Sequence, residues 1–154
     1  METPSATLAP APPAAARRVE MRIDSDPAQI ADARRVMEGF AATAGFCEEA
    51  VGQIGLCVNE ALANVIRHAY AGAAEKPIHL TAELVQDGDG TALQLTIRDW
   101  GNGKNPAECP QKPRDPIEPG GVGMICLREL MDDVIFSPQP DGMLATMVKR
   151  RERA

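Results

Sequence analysis

No apolar run in this chain of 154 residues approaches the length of a membrane span, and no basic segment leads into an apolar core at its N-terminus. Neither a helical membrane anchor nor a secretory signal is expected, and a soluble, cytoplasmic protein is. Metal-ligand and disulfide patterns are lacking too. Cys47, Cys57, Cys109 and Cys126 include no C-x-x-C pair, and the two histidines, His68 and His79, stand at no ligand spacing from them. Free thiols are expected, with Cys57 and Cys126 acting as small buried residues of helices. Nor is positive charge in excess: 16 Lys and Arg against 22 Asp and Glu leave a net charge of −6, which argues against a nucleic-acid surface. The one basic cluster, Lys149, Arg150, Arg151 and Arg153, closes the chain and reads as a solvated tail.

What is present fits one globular domain, since 44% hydrophobic and 25% charged residues over this length suffice for a core of ordinary size. Residues 1–16 are rich in Ala and Pro and predict a disordered tail. The domain is expected over 17–150, with a basic tail at 151–154. Val19, Met21 and Ile23 alternate with charged residues as in a half-exposed strand. Asp26 before Pro27 is an N-cap followed by proline at the first helical position, and that helix runs to about Gly45. A second helix is predicted from Cys47 to about Tyr70, with Val51, Ile54, Val58, Leu62, Val65 and Ala69 forming its apolar stripe. Ile78, Leu80, Ala82 and Leu84 alternate, and Asp87-Gly88-Asp89-Gly90 then turns the chain into a return strand carrying Leu93, Leu95 and Ile97.

Five prolines between Lys104 and Pro119 rule out regular structure there, and a loop of that length is a candidate lid. Gly120-Gly121-Val122-Gly123 opens a third helix, and strands from Val134 to Phe136 and from Met143 to Val148 close the domain. The order β-α-α-β-β-lid-α-β-β predicts an α+β, two-layer sandwich, with a mixed, mostly antiparallel sheet covered on one face by helices.

Three patterns carry chemistry. At Asp99-Trp100-Gly101-Asn102-Gly103 a carboxylate ends the buried face of a strand, where it needs a partner; a flat base with an exocyclic amine is one, and an ordinary Asp/Gly turn is the alternative. On the second helix Gln53, Glu60, Asn64 and Arg67 fall in one sector, which places Glu60 and Asn64 one turn apart. Amphipathic helices show such polar faces routinely, yet Asn is a poor helix former. Gly121 and Gly123 at a helix start offer backbone N–H groups to phosphate, or simply a flexible joint.

In this order the three patterns resemble the Bergerat-type ATP-binding fold of gyrase, Hsp90, histidine kinases and MutL, over about Arg17 to Arg150. Within it the chain looks most like the bacterial anti-sigma-factor serine kinases, through Asn59-Glu60-Ala61-Leu62-Ala63-Asn64-Val65-Ile66-Arg67-His68-Ala69-Tyr70, Leu95-Thr96-Ile97-Arg98-Asp99 and Met131-Asp132-Asp133-Val134. The resemblance implies that Asn64 holds Mg²⁺ against ATP and that Glu60 is the general base. It implies that Asp99 binds the adenine amine, with Thr146 joining through water. Gly101 and Gly103 would line the adenine pocket, and Gly121 and Gly123 would serve the phosphates. It further implies two protein partners, a STAS-domain antagonist phosphorylated on serine and a sigma factor, together with a homodimer. A nucleotide-dependent binding module without phosphotransfer and a plain ATPase are the alternatives. The chain departs from the family pattern in a lid without threonine, and in Trp100, where a polar or small residue is usual.

Overall fold

The computed structural model describes residues 17–102 and 127–152. The expectations for the tail at 1–16, the lid, Gly103, Gly121 and Gly123 lie outside the described residues. The chain begins with strand β1 (Arg18–Asp24) and helices α1 (Pro27–Thr43) and α2 (Glu48–Asn64), the latter continued by a π-helical turn, Val65–Ala69. Strands β2 (Pro77–Asp87), β3 (Gly90–Asp99), β4 (Asp133–Gln139) and β5 (Gly142–Arg150) complete it, and residues 127–130 are helical.

Local chemistry sets these boundaries. Asp26 caps α1 by accepting the Ala28 N–H at 3.0 Å, with Pro27 behind it. At the other end Gly45, at φ 93°, lets its own N–H reach Ala42 O at 3.1 Å and that of Phe46 reach Ala41 O at 3.1 Å. This paired arrangement stops a helix and depends on a residue free to take positive φ. Gly88, at φ 61°, takes the first place of the two-residue turn that joins β2 to β3, the place a II′ hairpin reserves for glycine.

The strands lie in the order β1-β2-β3-β5-β4. Every pairing among the described residues is antiparallel, in keeping with the mostly antiparallel sheet expected. One face of the sheet is apolar and carries Ile78, Leu80 and Ala82 of β2, Leu93, Leu95 and Ile97 of β3, and Ala145 and Met147 of β5. Against it pack Ile30, Ala33 and Met37 of α1 and Ile54, Val58 and Leu62 of α2, which makes two layers around one core. The reverse face carries Thr81, Thr96 and Thr146 side by side in register. β4 runs on past Phe136 through Pro138. It can do so because β4 is an edge strand, where a missing N–H costs no ladder bond.

Of the basic cluster, Lys149 is half-buried and Arg150 and Arg151 are exposed, and all three are tied back to the domain; Arg153 lies outside the described residues. Lys149 Nζ donates to Gln53 Oε1 at 2.8 Å and to Leu130 O at 2.6 Å, while Arg150 Nε donates to Asp87. Arg151 donates to Ala44 O at 2.8 Å, and its backbone N–H reaches Thr91 O at 2.9 Å. These bonds hold the chain against the domain as far as Arg151. No described helix is long and apolar enough to cross a membrane.

Candidate functional site

Asp99 stands at the end of β3 on the helix side of the sheet, 3% exposed, as the parity of Leu93, Leu95 and Ile97 requires. Its Oδ1 accepts the Gly101 N–H at 2.9 Å. Burial pushes its carboxyl above the ordinary value, against the downward pull of that N–H, of the Arg98 guanidinium and of the Met143 backbone. A carboxylate has about four lone-pair sites, so Asp99 keeps acceptor capacity beyond the backbone N–H groups it holds.

Asn64 is the second polar residue of the site and is 5% exposed. Its place is not on a solvated face. Two turns before it on the same meridian stands Cys57, fully buried, so the buried arc of α2 is wider than the apolar stripe and takes in Asn64 at its flank. Arg67 Nη1 lies 3.5 Å from Asn64 Oδ1, the outer limit of a hydrogen bond, and Nδ2 is buried without a partner among the described residues. The other members of that sector diverge. Glu60 is half-buried, Arg67 is exposed, and Gln53 is engaged by Lys149 near the other end of the helix.

Asp99 and Asn64 line one narrow cavity between α2 and the sheet, open to solvent on one side. Ala61, Ile97, Phe136, Met143 and Ala145 form its apolar walls, and Val65, His68 and Ala69 carry the π turn along its rim. Glu60 does not line the cavity; it sits one turn before Asn64 on α2. Thr146 is not brought to it either. β5 pairs with β3 so that Met143 opposes Asp99 and Thr146 opposes Thr96, which puts the Thr146 hydroxyl on the reverse face of the sheet. The water-bridging role for Thr146 is thereby corrected, and Met143 occupies the position beside Asp99.

Two contacts set the distance between the acid and the amide. Tyr70, just past the π turn, donates its hydroxyl to Pro77 O and accepts the Trp100 N–H at 2.9 Å. Gly101 packs so closely on the same turn that a Cβ there would stand 2.4 Å from Ala69 O. Its lack of a side chain thus serves the approach of β3 to α2, and Asn102 Nδ2 adds a bond to His68 O at 2.9 Å. Tyr70→Phe would leave the Trp100 N–H and the Pro77 carbonyl without their shared partner. A loss of about 1–3 kcal/mol of stability is expected in urea unfolding.

Sequence reasoning did not single out His68, Tyr70, Phe136 or Met143. His68 was within reach of it, since it lies one turn past Asn64, and burial together with Arg67 draws its imidazole below the ordinary value. Trp100 is 40% exposed and carries the Arg98 guanidinium over its ring at 4.7 Å, pointing away from the cavity with the reverse face.

Residues 23–149 match the family described as histidine kinase-like ATPase domain. The chain belongs to that family. ATP is therefore its ligand. The chain is 27% identical over 134 residues to the serine-protein kinase RsbW of Oceanobacillus iheyensis, covering 82% of each chain. It is also 25% identical over 149 residues to the serine-protein kinase RsbW of Bacillus licheniformis, covering 90% of each. In fold it is similar to the crystal structure of the RsbU and RsbW domains of Rv1364c from Mycobacterium tuberculosis, with a TM-score of 0.66 at 18% identity, over 95% of this chain and 34% of that one. The cavity at the seam of helix and sheet combines apolar walls with a buried carboxylate and a buried amide.

Proposed function

We propose that this chain is an ATP-dependent protein serine kinase that acts as an anti-sigma factor in a partner-switching circuit and phosphorylates a STAS-type antagonist on serine. The observation that carries this reading is the pairing of two buried polar groups, the Asp99 carboxylate and the Asn64 amide with its unpartnered Nδ2, in a single cavity. Asp99 accepts the exocyclic amine of adenine while Ile97, Ala145 and Met143 flank the ring. Toward the π turn, the Asn64 side chain fits a Mg²⁺ ion. Its carbonyl oxygen is a hard donor, and its only side-chain hydrogen bond among the described residues, at 3.5 Å to Arg67, is weak enough to yield. Mg²⁺, when bound, neutralises charge on the phosphates. Glu60 takes the proton of the incoming serine hydroxyl as general base, and Gly103, Gly121 and Gly123 lend backbone N–H groups to the nucleotide. The sigma factor is the second protein partner, in the cytoplasm and without direct contact to nucleic acid or membrane. A homodimer is the working assembly.

Incubation of the purified chain with γ-labelled ATP and a candidate STAS antagonist tests the reading. Label is expected on an antagonist serine. Retention of the partner by nucleotide without transfer would favour the binding module, and phosphate release without labelled partner the plain ATPase. Asn64→Ala, which leaves Asp99 untouched, should weaken Mg·ATP by about 10- to 100-fold, the worth of one contact to a charged group. Calorimetry at several Mg²⁺ concentrations checks it. Affinity equal to wild type would remove Asn64 from the metal.

A further inference from the structure

Lys149 shares the parity of Ala145 and Met147 in β5 and stands opposite Leu93, so its side chain rises from the helix side of the sheet. Arg150, next to it, faces the other way and is exposed. A charged group beside apolar ones is kept where its donors are answered. Two oxygens from different elements answer Lys149: Nζ donates to Gln53 Oε1 of α2 at 2.8 Å and to Leu130 O at 2.6 Å. The ammonium thereby joins α2, β5 and the helical residues 127–130 at one point. Two further bonds, from the Asp132 N–H to Val148 O at 2.8 Å and from the Arg150 N–H to Asp132 Oδ2 at 2.6 Å, hold the exit of that turn to β5. Lys149 adds the tie to α2.

The turn that Lys149 grips reaches the cavity. It is closed where the Met131 N–H donates to Leu127 O at 3.0 Å, so Leu127 and Leu130 are carried by one hydrogen-bonded unit. Leu127, 1% exposed, is a wall of the cavity that Asp99 and Asn64 line. Along α2, Gln53 precedes Asn64 by about three turns and lies on the same flank of the helix. The turn thus runs from the Gln53 end of that flank, where Lys149 holds the Leu130 carbonyl, toward the Asn64 end, where the Leu127 side chain meets the cavity. We propose that Lys149 is a positioning residue of the nucleotide site, setting the Leu127 wall through Leu130 O; the step rests on the reading of this cavity as that site. Without the ammonium, Leu130 O and Gln53 Oε1 lose their shared donor, the turn loses its tie to α2, and Leu127 draws back from the space that a bound nucleotide fills.

Calorimetric titration of the full chain with Mg·ATP tests the proposal in Lys149→Met, which keeps the stem and removes the ammonium, in Leu127→Ala, and in the double variant. Lys149→Met is expected to weaken ATP by about tenfold, and by less than about threefold once Leu127 is already Ala, because residues that act through one another are not additive. Circular dichroism on the same samples establishes that each is folded. Arg150→Met removes the same charge from the neighbouring exposed position, where salt screens it, and is expected to stay within about twofold of wild type. Wild-type affinity in Lys149→Met overturns the proposal. So do additive losses in the double variant, the mark of a merely structural role, and a loss in Arg150→Met as large as in Lys149→Met, the mark of bulk charge. If Lys149→Met does not fold, Gln53→Ala, which breaks the tie to α2 and keeps the charge, takes its place in the same cycle with the same outcomes. Failure of the wild-type chain to bind ATP overturns the proposal together with the reading on which it rests.

Discussion

Glu60→Gln is expected to leave ATP and partner binding nearly intact while slowing phosphotransfer by about 10²–10⁴-fold, the usual worth of a general base. The expectation is geometric. Glu60 precedes Asn64 by one turn of a regular α-helix, so the two side chains share a flank of α2, one at the cavity and one just outside it. A base that must meet a serine delivered by another protein belongs at the mouth of the cavity rather than inside it, and a half-buried position suits that role. Gln retains the volume and the hydrogen-bonding reach of Glu and loses the basicity. Single-turnover transfer to the purified antagonist at saturating ATP reads the chemical step alone. A rate equal to wild type would remove Glu60 from the mechanism, and a fall in ATP affinity of the same size as the fall in rate would make it a binding residue instead.

The parts of the site that could be read in the sequence are those governed by a short period. Alternation along β3 placed Asp99 on the buried face, and the structure has it there because parity in a strand is set by the backbone and cannot drift. The cap and stop of α1 were legible for a similar reason: Asp26, Pro27 and Gly45 act through their own backbone or that of the next few residues. Asn64 was harder. Its spacing to Glu60 was plain, but its burial follows from the width of the arc that α2 presents to the sheet, a property of the packing of two layers that no helical wheel contains.

Thr146 shows where the reading broke down. Which residue of β5 faces Asp99 depends on the register between strands far apart in sequence, and a shift of one residue exchanges the two faces. The observed register gives the position to Met143. Nor could the sequence foretell the role of Arg151, since the carbonyl it reaches, on Ala44, is 107 residues away along the chain. The π turn at Val65–Ala69 is a third instance. Its residues have ordinary helix-forming character, and the extra residue is accommodated where Tyr70 and Gly101 tie helix to sheet. Such turns recur at functional sites, and this one borders the cavity.

Asp99→Asn should separate binding from stability. In the native protein burial holds the Asp99 carboxyl above its ordinary value, so the charged form is disfavoured by folding. The sign follows from linkage. Below the ordinary carboxyl value the group is neutral in both states and folding is not penalised; as pH rises through that value the penalty develops, and it is complete above the raised one. Asn carries no charge, and its carbonyl oxygen can keep the Gly101 N–H that Asp99 holds at 2.9 Å. The variant is therefore expected to be at least as stable as wild type at pH 7, with a flatter dependence of stability on pH in the acid range. Its affinity for ATP should nevertheless fall by about 10- to 100-fold, because with its oxygen on Gly101 the amide turns an NH₂ toward the amine of the base, and a buried mismatch of that kind costs roughly 1–3 kcal/mol. Urea unfolding across pH and nucleotide calorimetry on the same preparation read the two effects independently. Undiminished ATP affinity would end the assignment of Asp99 to the base. Loss of stability at pH 7 would show the carboxylate to be part of the packing rather than a group held in the core, against its own solvation, for a ligand.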